Sequence, residues 1–448
     1  MTTDVVVIGA GVAGLAAASR LVRSDARVTV LESRDRIGGR IATVRDSRTP
    51  LPIELGAEFI HGAADEIVEI VREQNLIVCD THGERWRAAG RRLTPLDDHD
   101  FWKELGRVMK RLDPERTPDR AFQDFLATKP GGATLAAQRT LAREFVEGFH
   151  AADLSLISER SLADGGAPED QAEERMGRVI GGYDRVPAAL AASVTDVRLG
   201  HHVDAVAWDR GSVEIRFSTA GARGVATGSI SARAAIITVP LGVLQQTEGP
   251  SAITFTPDVV DPRRAASHLA MGTVVRLPFL FREPFWEAKS VRRRTGGRSL
   301  AEMSFLHSTD DDLPVWWTST PIRTNTLVGW AGGLRASRLA RRSTTDIEER
   351  ALAALARLFG MQRRRLAALV EHCWYHDWVN DPLTLGAYSY ALVGGSTAAK
   401  RLARPVDDTL FFAGEAADED GRNGTVHGAI GTGYRAAAAV SRLTLNGA

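Results

Sequence analysis

VVVIGAGVAG, residues 5–14, decides the fold. Val5 to Ile8 is an apolar run without alternation, as a strand covered on both faces requires, and it breaks at once into Gly9, Gly11 and Gly14. The first glycine permits a tight turn, the second lets a diphosphate meet bare backbone, and the third lets the next helix lie against the sheet. That helix is read over Leu15 to Arg23, and it leads to a second apolar run, RVTVLE, closed by Glu32. An acid at that point accepts ribose hydroxyls. The unit is a βαβ dinucleotide site, and Gly9, Gly11, Val12, Ala13, Gly14, Glu32, Ser33 and Arg34 are its candidate cofactor-binding residues.

Working outward, Arg36-Ile37-Gly38-Gly39-Arg40 adds a second glycine pair with an arginine beyond it. NAD-binding domains have no need of such a segment. Adjacent glycines admit a phosphate to the backbone and a guanidinium offers it paired donors, so Gly39 and Arg40 join the cofactor set. Toward the other end, Leu410 to Ala413 reads as a short strand turned by Gly414, and Gly424-Thr425-Val426-His427-Gly428 opens a helix. A helix N-terminus suits a diphosphate or the electron-rich edge of a flavin.

The start of the chain resembles that of the flavin amine oxidase family, which includes monoamine, polyamine and L-amino-acid oxidases and lysine-specific histone demethylases. The resemblance runs the length of the chain through Glu54 to Gly62 (ELGAEFIHG), Ile236 to Leu244, Trp374 to Tyr390 and Leu410 to Ala437. It implies a Rossmann-like α/β FAD-binding domain and an α+β substrate-binding domain of the monoamine/polyamine oxidase type. Residues 1–78, 184–268 and 404–448 would form the first, and 79–183 and 269–403 the second. By the same resemblance, Gly56, Ala57 and Glu58 lie beside the flavin ring and Val203 meets the adenine through its backbone. Glu415, after Gly414, holds the ribityl or ribose side, and Gly424, Thr425 and Val426 face the isoalloxazine.

Helical spacing recurs over Ala64 to Gln74, Asp100 to Leu112, Asp119 to Ala127 and Thr134 to Ala151, so this inserted stretch reads as mostly helical. Strands are expected over Thr273 to Phe281, Met303 to His307, Val315 to Thr318 and Thr326 to Ala331, and a helix over Thr345 to Phe359.

The family reaction is hydride transfer from the carbon bearing a neutral amine to flavin N5, followed by imine hydrolysis and reoxidation by dioxygen. The cofactor does the hard step, so the protein positions a dry, uncharged amine. Tyr388 matches an aromatic that flanks the amine in many relatives, while Thr425 occupies the other wall, so no two-tyrosine cage is evident. His61 resembles the channel histidine of several polyamine oxidases and could accept a hydrogen bond from the amine.

One departure outweighs the matches. The family's M-G-x-x-x-K motif aligns with Met271-Gly272-Thr273-Val274-Val275-Arg276, which places arginine where a lysine serves flavin oxidation. A guanidinium keeps its proton and has a wide planar head, so the exchange is not conservative. Drift in a chain with only five lysines, a carboxylate clamp in an L-amino-acid oxidase or dehydrogenase, and a silent FAD-binding interaction protein all remain open. Arg276, His61 and Tyr388 are the catalytic candidates. No cysteine falls in Thr384 to Leu392, where monoamine oxidases tether their flavin, so FAD is expected to be noncovalent.

Composition narrows the partners. Lys plus Arg and Asp plus Glu number 56 each, so no bulk field favours nucleic acid or an anionic membrane. Only local runs such as Arg292 to Arg294 and Asp310 to Asp312 carry concentrated charge. Cys79 and Cys373 lack ligand spacing, so no metal is expected, and the compartment reads as reducing and cytoplasmic. A small-molecule amine and dioxygen are the expected partners, and the sequence sets no oligomeric state.

Overall fold

The computed structural model describes residues 3–62, 64–165, 176–221, 224–309 and 312–445. Asp310 and Asp311 of the acidic run lie outside the described residues. Five parallel strands form one sheet in the order Val197–Arg198, Val28–Leu31, Val5–Ile8, Ala234–Ile237, Leu410–Phe412. Beginning, middle and end of the chain thus meet side by side. Every residue of Val5–Ile8 and Val28–Leu31 is buried, which accounts for their unbroken apolar character.

The helix Val12–Val22 covers one face of this sheet and packs against the last helix, Val426–Leu445. Two glycines set that closeness. A Cβ on Gly14 would lie 2.0 Å from the Gly9 carbonyl oxygen, and one on Gly433 would lie 2.2 Å from that of Ala13. The backbones touch where side chains would hold them apart.

A second sheet has seven strands in the order Val370–Cys373, Val274–Phe281, Thr326–Gly332, Val315–Thr318, Met303–His307, Glu84–Ala89, Arg92–Leu96. Its alternation sorts residues cleanly. Trp86, Leu306, Trp316 and Leu277 point to a core shared with the helix Thr344–Phe359, while Arg87, His307, Trp317, Trp330 and Arg276 line a cavity on the other face. Gly329 leaves room for the Trp316 ring, which a Cβ there would approach to 2.7 Å.

The helical reading of the inserted stretch is correct for Asp65–Glu73, Asp98–Met109, Phe122–Ala127 and Ala136–Phe149, and incomplete between them. Glu84–Ala89 and Arg92–Leu96 form a hairpin that completes the seven-stranded sheet. ERWRAA offers one large apolar residue, and the buried face of the strand is created by sheet partners more than 200 residues away, such as Leu306. Such pairing leaves no periodic apolar trace in the local sequence.

Candidate active site

The glycine turn is wired from within. The Glu32 carboxylate, buried at the end of its strand, accepts from the backbone N–H of Ala10 at 2.7 Å and of Arg34 at 2.9 Å. Gly11 bridges to Gly38, and the Gly38 N–H donates to the Ala10 carbonyl at 2.8 Å, so the two glycine segments form one surface. Arg36 holds the second segment by donating to the carbonyls of Ile37, Gly39 and Ile41. No motif in the sequence marks Arg36 for this task.

Remote segments lock onto that surface through paired charges. Arg34 donates to Asp381 at 2.8 Å, and His376 Nε2 sits 2.7 Å from the same carboxylate. Arg40 donates to the Ala387 carbonyl at 2.7 Å and to Glu415 at 2.8 Å. Glu415 also accepts from the Ser389 hydroxyl at 2.7 Å and from the N–H groups of Ser389 and Gly424. Burial alone would raise its carboxyl, but Arg40 and these donors hold it below its ordinary value. Thr425 Oγ accepts from the Gly428 N–H at 3.0 Å, so it caps the last helix.

Glu32, Arg34, Gly38, Arg40, Ser389, Glu415 and Thr425 border one cavity of about 1420 Å³, while Arg36, His376 and Asp381 brace it from behind. Of the candidate residues only Gly14 is off its lining, buried beneath the turn. The cavity runs from Gly9, Gly11, Val12 and Ala13 past Glu32, Ser33, Arg34 and Val203, along Gly39, Arg40, Gly56, Ala57 and Glu58, to Gly414, Glu415, Gly424, Thr425 and Val426. His61, Tyr388 and Arg276 border it as well. Near Val203 the strand His201–Asp209 is bulged before Ala205. There His202 contacts Ser33 Oγ through Nδ1 at 3.1 Å, while its Nε2 is buried without a hydrogen-bond partner.

Arg276 belongs to a buried triad. Its Nη2 donates to Glu58 Oε2 at 2.5 Å and its Nε to the Glu54 carbonyl at 2.8 Å. Arg178 donates to Glu58 Oε1 at 2.6 Å and to the carbonyls of Thr318 and Thr320. Trp317 donates its indole N–H to Glu58 at 3.0 Å and presents its ring 5.1 Å from the Arg276 guanidinium. Side chains of Arg276, Glu58 and Arg178 are only 5, 11 and 12 % exposed. Burial raises the Glu58 carboxyl, yet Arg276 and Arg178 bring it down to about 2. Arg178 and Trp317 escape sequence reasoning because Glu58 joins them only in three dimensions.

The aromatic end gathers around His61, whose ring packs edge-on against Phe59 and Phe149 with centroids 6.0 Å apart in each case. Burial, with His427 nearby, pushes its imidazole down to about 4, so it is neutral at physiological pH. Tyr388 borders the same space and donates its hydroxyl to the Phe149 carbonyl at 2.7 Å. Its ring also backs Gly424, where a Cβ would come within 3.2 Å. Trp378 donates to the Leu55 carbonyl at 2.8 Å and is a wall held in place. His427 is 8 % exposed.

The family model described as flavin containing amine oxidoreductase matches residues 12–441. Probable polyamine oxidase 4 of Arabidopsis thaliana is 29 % identical over 97 % of the chain and 86 % of its own length. Polyamine oxidase 3 of Oryza sativa subsp. japonica is 28 % identical over 97 % and 88 %. Among solved structures, wild-type putrescine oxidase bound to putrescine superposes with a TM-score of 0.79 at 20 % identity, covering 99 % of both chains. Cyclohexylamine oxidase from Brevibacterium oxydans IH-35A has a TM-score of 0.79 at 22 % identity, covering 99 % of this chain and 100 % of that one.

Proposed function

Because the chain belongs to the flavin-containing amine oxidoreductase family, we propose that it oxidises a small amine of the polyamine-oxidase kind with noncovalently held FAD and dioxygen. The observation that carries this reading is the continuity of one cavity from the glycine turn to the aromatic end around His61.

The residues fit FAD. A Cβ on Gly11 would meet nothing within 4 Å, so that backbone is open to a diphosphate. Glu32, Arg34, Arg40 and the Gly424 to Val426 turn would hold the rest. When bound, FAD supplies the acceptor for a hydride from the amine-bearing carbon and passes the electrons to dioxygen, yielding hydrogen peroxide. Neither Cys79 nor Cys373 is on the cavity lining, in keeping with a noncovalent cofactor.

The chain's own residues do the positioning. Neutral His61 can accept a hydrogen bond from an amine N–H, which favours the uncharged amine that hydride loss requires. Phe59, Phe149 and Tyr388 keep that nitrogen dry. Arg276 is oriented by Glu58 on the wall, at the position where the family motif has lysine. Two of its nitrogens already serve the Glu54 carbonyl and Glu58, so a substrate carboxylate there would compete with a carboxylate already in place. The division into residues 1–78, 184–268 and 404–448 against 79–183 and 269–403 belongs to the same reading. Among the described residues no helix is long and apolar enough to cross a membrane. A cytoplasmic setting belongs to the same reading, supported by the two free cysteines.

Anaerobic mixing of the flavin-loaded protein with a panel of amines and amino acids tests the reading. Bleaching of the oxidised flavin by amines is the expected result. Reduction by amino acids alone would move the reading to the L-amino-acid oxidase branch, and a flavin that nothing in the panel reduces would favour an FAD-binding interaction protein.

A further inference from the structure

The sheet wall carries a group of polar residues far from Arg276 that amine oxidation does not use. In the seven-stranded sheet Arg276 pairs with Trp330, Trp330 with Val315, Val315 with His307, and His307 with Arg87. These five residues are one transverse row, and all of them line the cavity. From Arg276 to His307 the row crosses three strand intervals, roughly 14 Å at about 4.8 Å each.

The far end of the row is incomplete. His307 is held between the rings of Phe101 and Phe305, with centroids 6.1 and 6.3 Å away, and its Nε2 is buried without a hydrogen-bond partner. Burial and the charges of Arg85 and Arg87 push the imidazole down to about 3, so it is a neutral ring with one N–H. Arg85 is stacked over Phe305 at 4.7 Å. The half-buried Arg87 guanidinium has no ion pair or hydrogen bond among the described residues. On the facing helix, Ala136–Phe149, Glu147 is already engaged by Arg335 at 3.7 Å. A half-buried cation beside a buried imidazole with no partner among the described residues leaves both groups short of an acceptor there.

Resting on the amine-oxidising reading, we propose that Arg87 and His307 form an anion subsite, and that the substrate is an elongated amine with a carboxylate at the end opposite its reacting nitrogen. The guanidinium pairs with one carboxylate oxygen and His307 donates Nε2–H to the group. The span of the row selects chain length, and Trp330 and Val315 between the two ends accept the methylenes. A carboxylate here lies far from the reacting carbon, so it sets KM and leaves hydride transfer alone.

The test compares ω-amino carboxylates with n-alkylamines and α,ω-diamines of the same chain lengths. The flavin-loaded protein is expected to oxidise the amino carboxylates with kcat/KM at least tenfold above the alkylamines. Arg87→Ala should erase that advantage through KM, Arg87→Lys should restore part of it, and alkylamine turnover should stay within twofold. Calorimetric titration with octanoate against octanol reads the subsite without turnover: octanoate binds the wild type, and Arg87→Ala or His307→Phe loses it. A preference for diamines, read by the acids Glu144 and Glu147 that also line the cavity, overturns the proposal while sustaining amine oxidation. Equal losses for all amines in Arg87→Ala, or octanoate binding unchanged by it, overturn it as well. If no amine bleaches the flavin yet octanoate binding depends on Arg87, the reaction is wrong and the subsite stands.

Discussion

The glycine cradle and the sheet wall enclose the same cavity by opposite means. Around Gly9 to Gly14 the backbone itself is the surface, and what matters is the missing Cβ: the closeness of Gly14 to the Gly9 carbonyl leaves no room for one. Along the wall, side chains are the surface, and Arg276, Trp330, His307 and Arg87 come together because four strand pairings agree in register. A cradle of backbone depends on neighbours in sequence. A wall of side chains depends on strands from distant parts of the chain and on buried charges that balance one another.

That contrast can be broken at several points. The largest effect is expected at the wall: Glu58→Gln leaves Arg276 and Arg178 buried without their carboxylate and should cost about 3–5 kcal/mol in denaturant unfolding. A loss below about 1 kcal/mol would mean that water already compensates the guanidiniums. In the cradle, Gly14→Ala must push the turn apart, with a cost of about 1–3 kcal/mol. Its diagnostic is a fall in the flavin-to-protein absorbance ratio of the purified protein, which Glu58→Gln should show less. Arg276→Lys keeps the charge but replaces a fork by a point, so it can serve Glu58 or the Glu54 carbonyl and not both in the same geometry. About 1–2 kcal/mol of stability should go, read by the same unfolding curves.

Where cradle and wall meet, Ser389→Ala removes one of the donors to Glu415 while Arg40 and the two N–H groups remain, so about 1 kcal/mol is expected. The last test is a matter of pH. Burial pushes the Glu54 carboxyl up to about 7 despite donors from Thr43 and Tyr183, so the fold favours its protonated form. The stability from that preference is full below the ordinary value of 4.5 and is lost as pH rises to about 7. Unfolding measured on both sides of this window should show wild type losing stability with rising pH and Glu54→Gln losing less. An unchanged slope in the variant would assign the loss to other groups.

How far each region could be read in advance follows the same division. Gly9, Gly11, Gly14 and Glu32 were legible because strand, turn, helix and acid fall within one short segment. The helix Thr344–Phe359 was legible from its 3.6-residue spacing, and the strand Val315–Thr318 from its β-branched and aromatic residues. By contrast, nothing near Glu84–Leu96 announces a hairpin, since its apolar partners lie in another part of the chain. The substitution at Arg276 was visible, but its meaning was not, because Arg178 approaches Glu58 from 120 residues away. Arg87 and His307 carry no motif at all and become neighbours only through strand pairing.

A strand, glycine turn and helix, a place in the flavin-containing amine oxidoreductase family and the absence of lysine at position 276 are legible in the sequence alone, because those features are local in the chain. What Arg276 touches, which acids are already satisfied and where the cavity holds a cation with no partner among the described residues are settled in three dimensions. Charge balance in a buried space is a property of neighbours in three dimensions, and their order along the chain does not encode it.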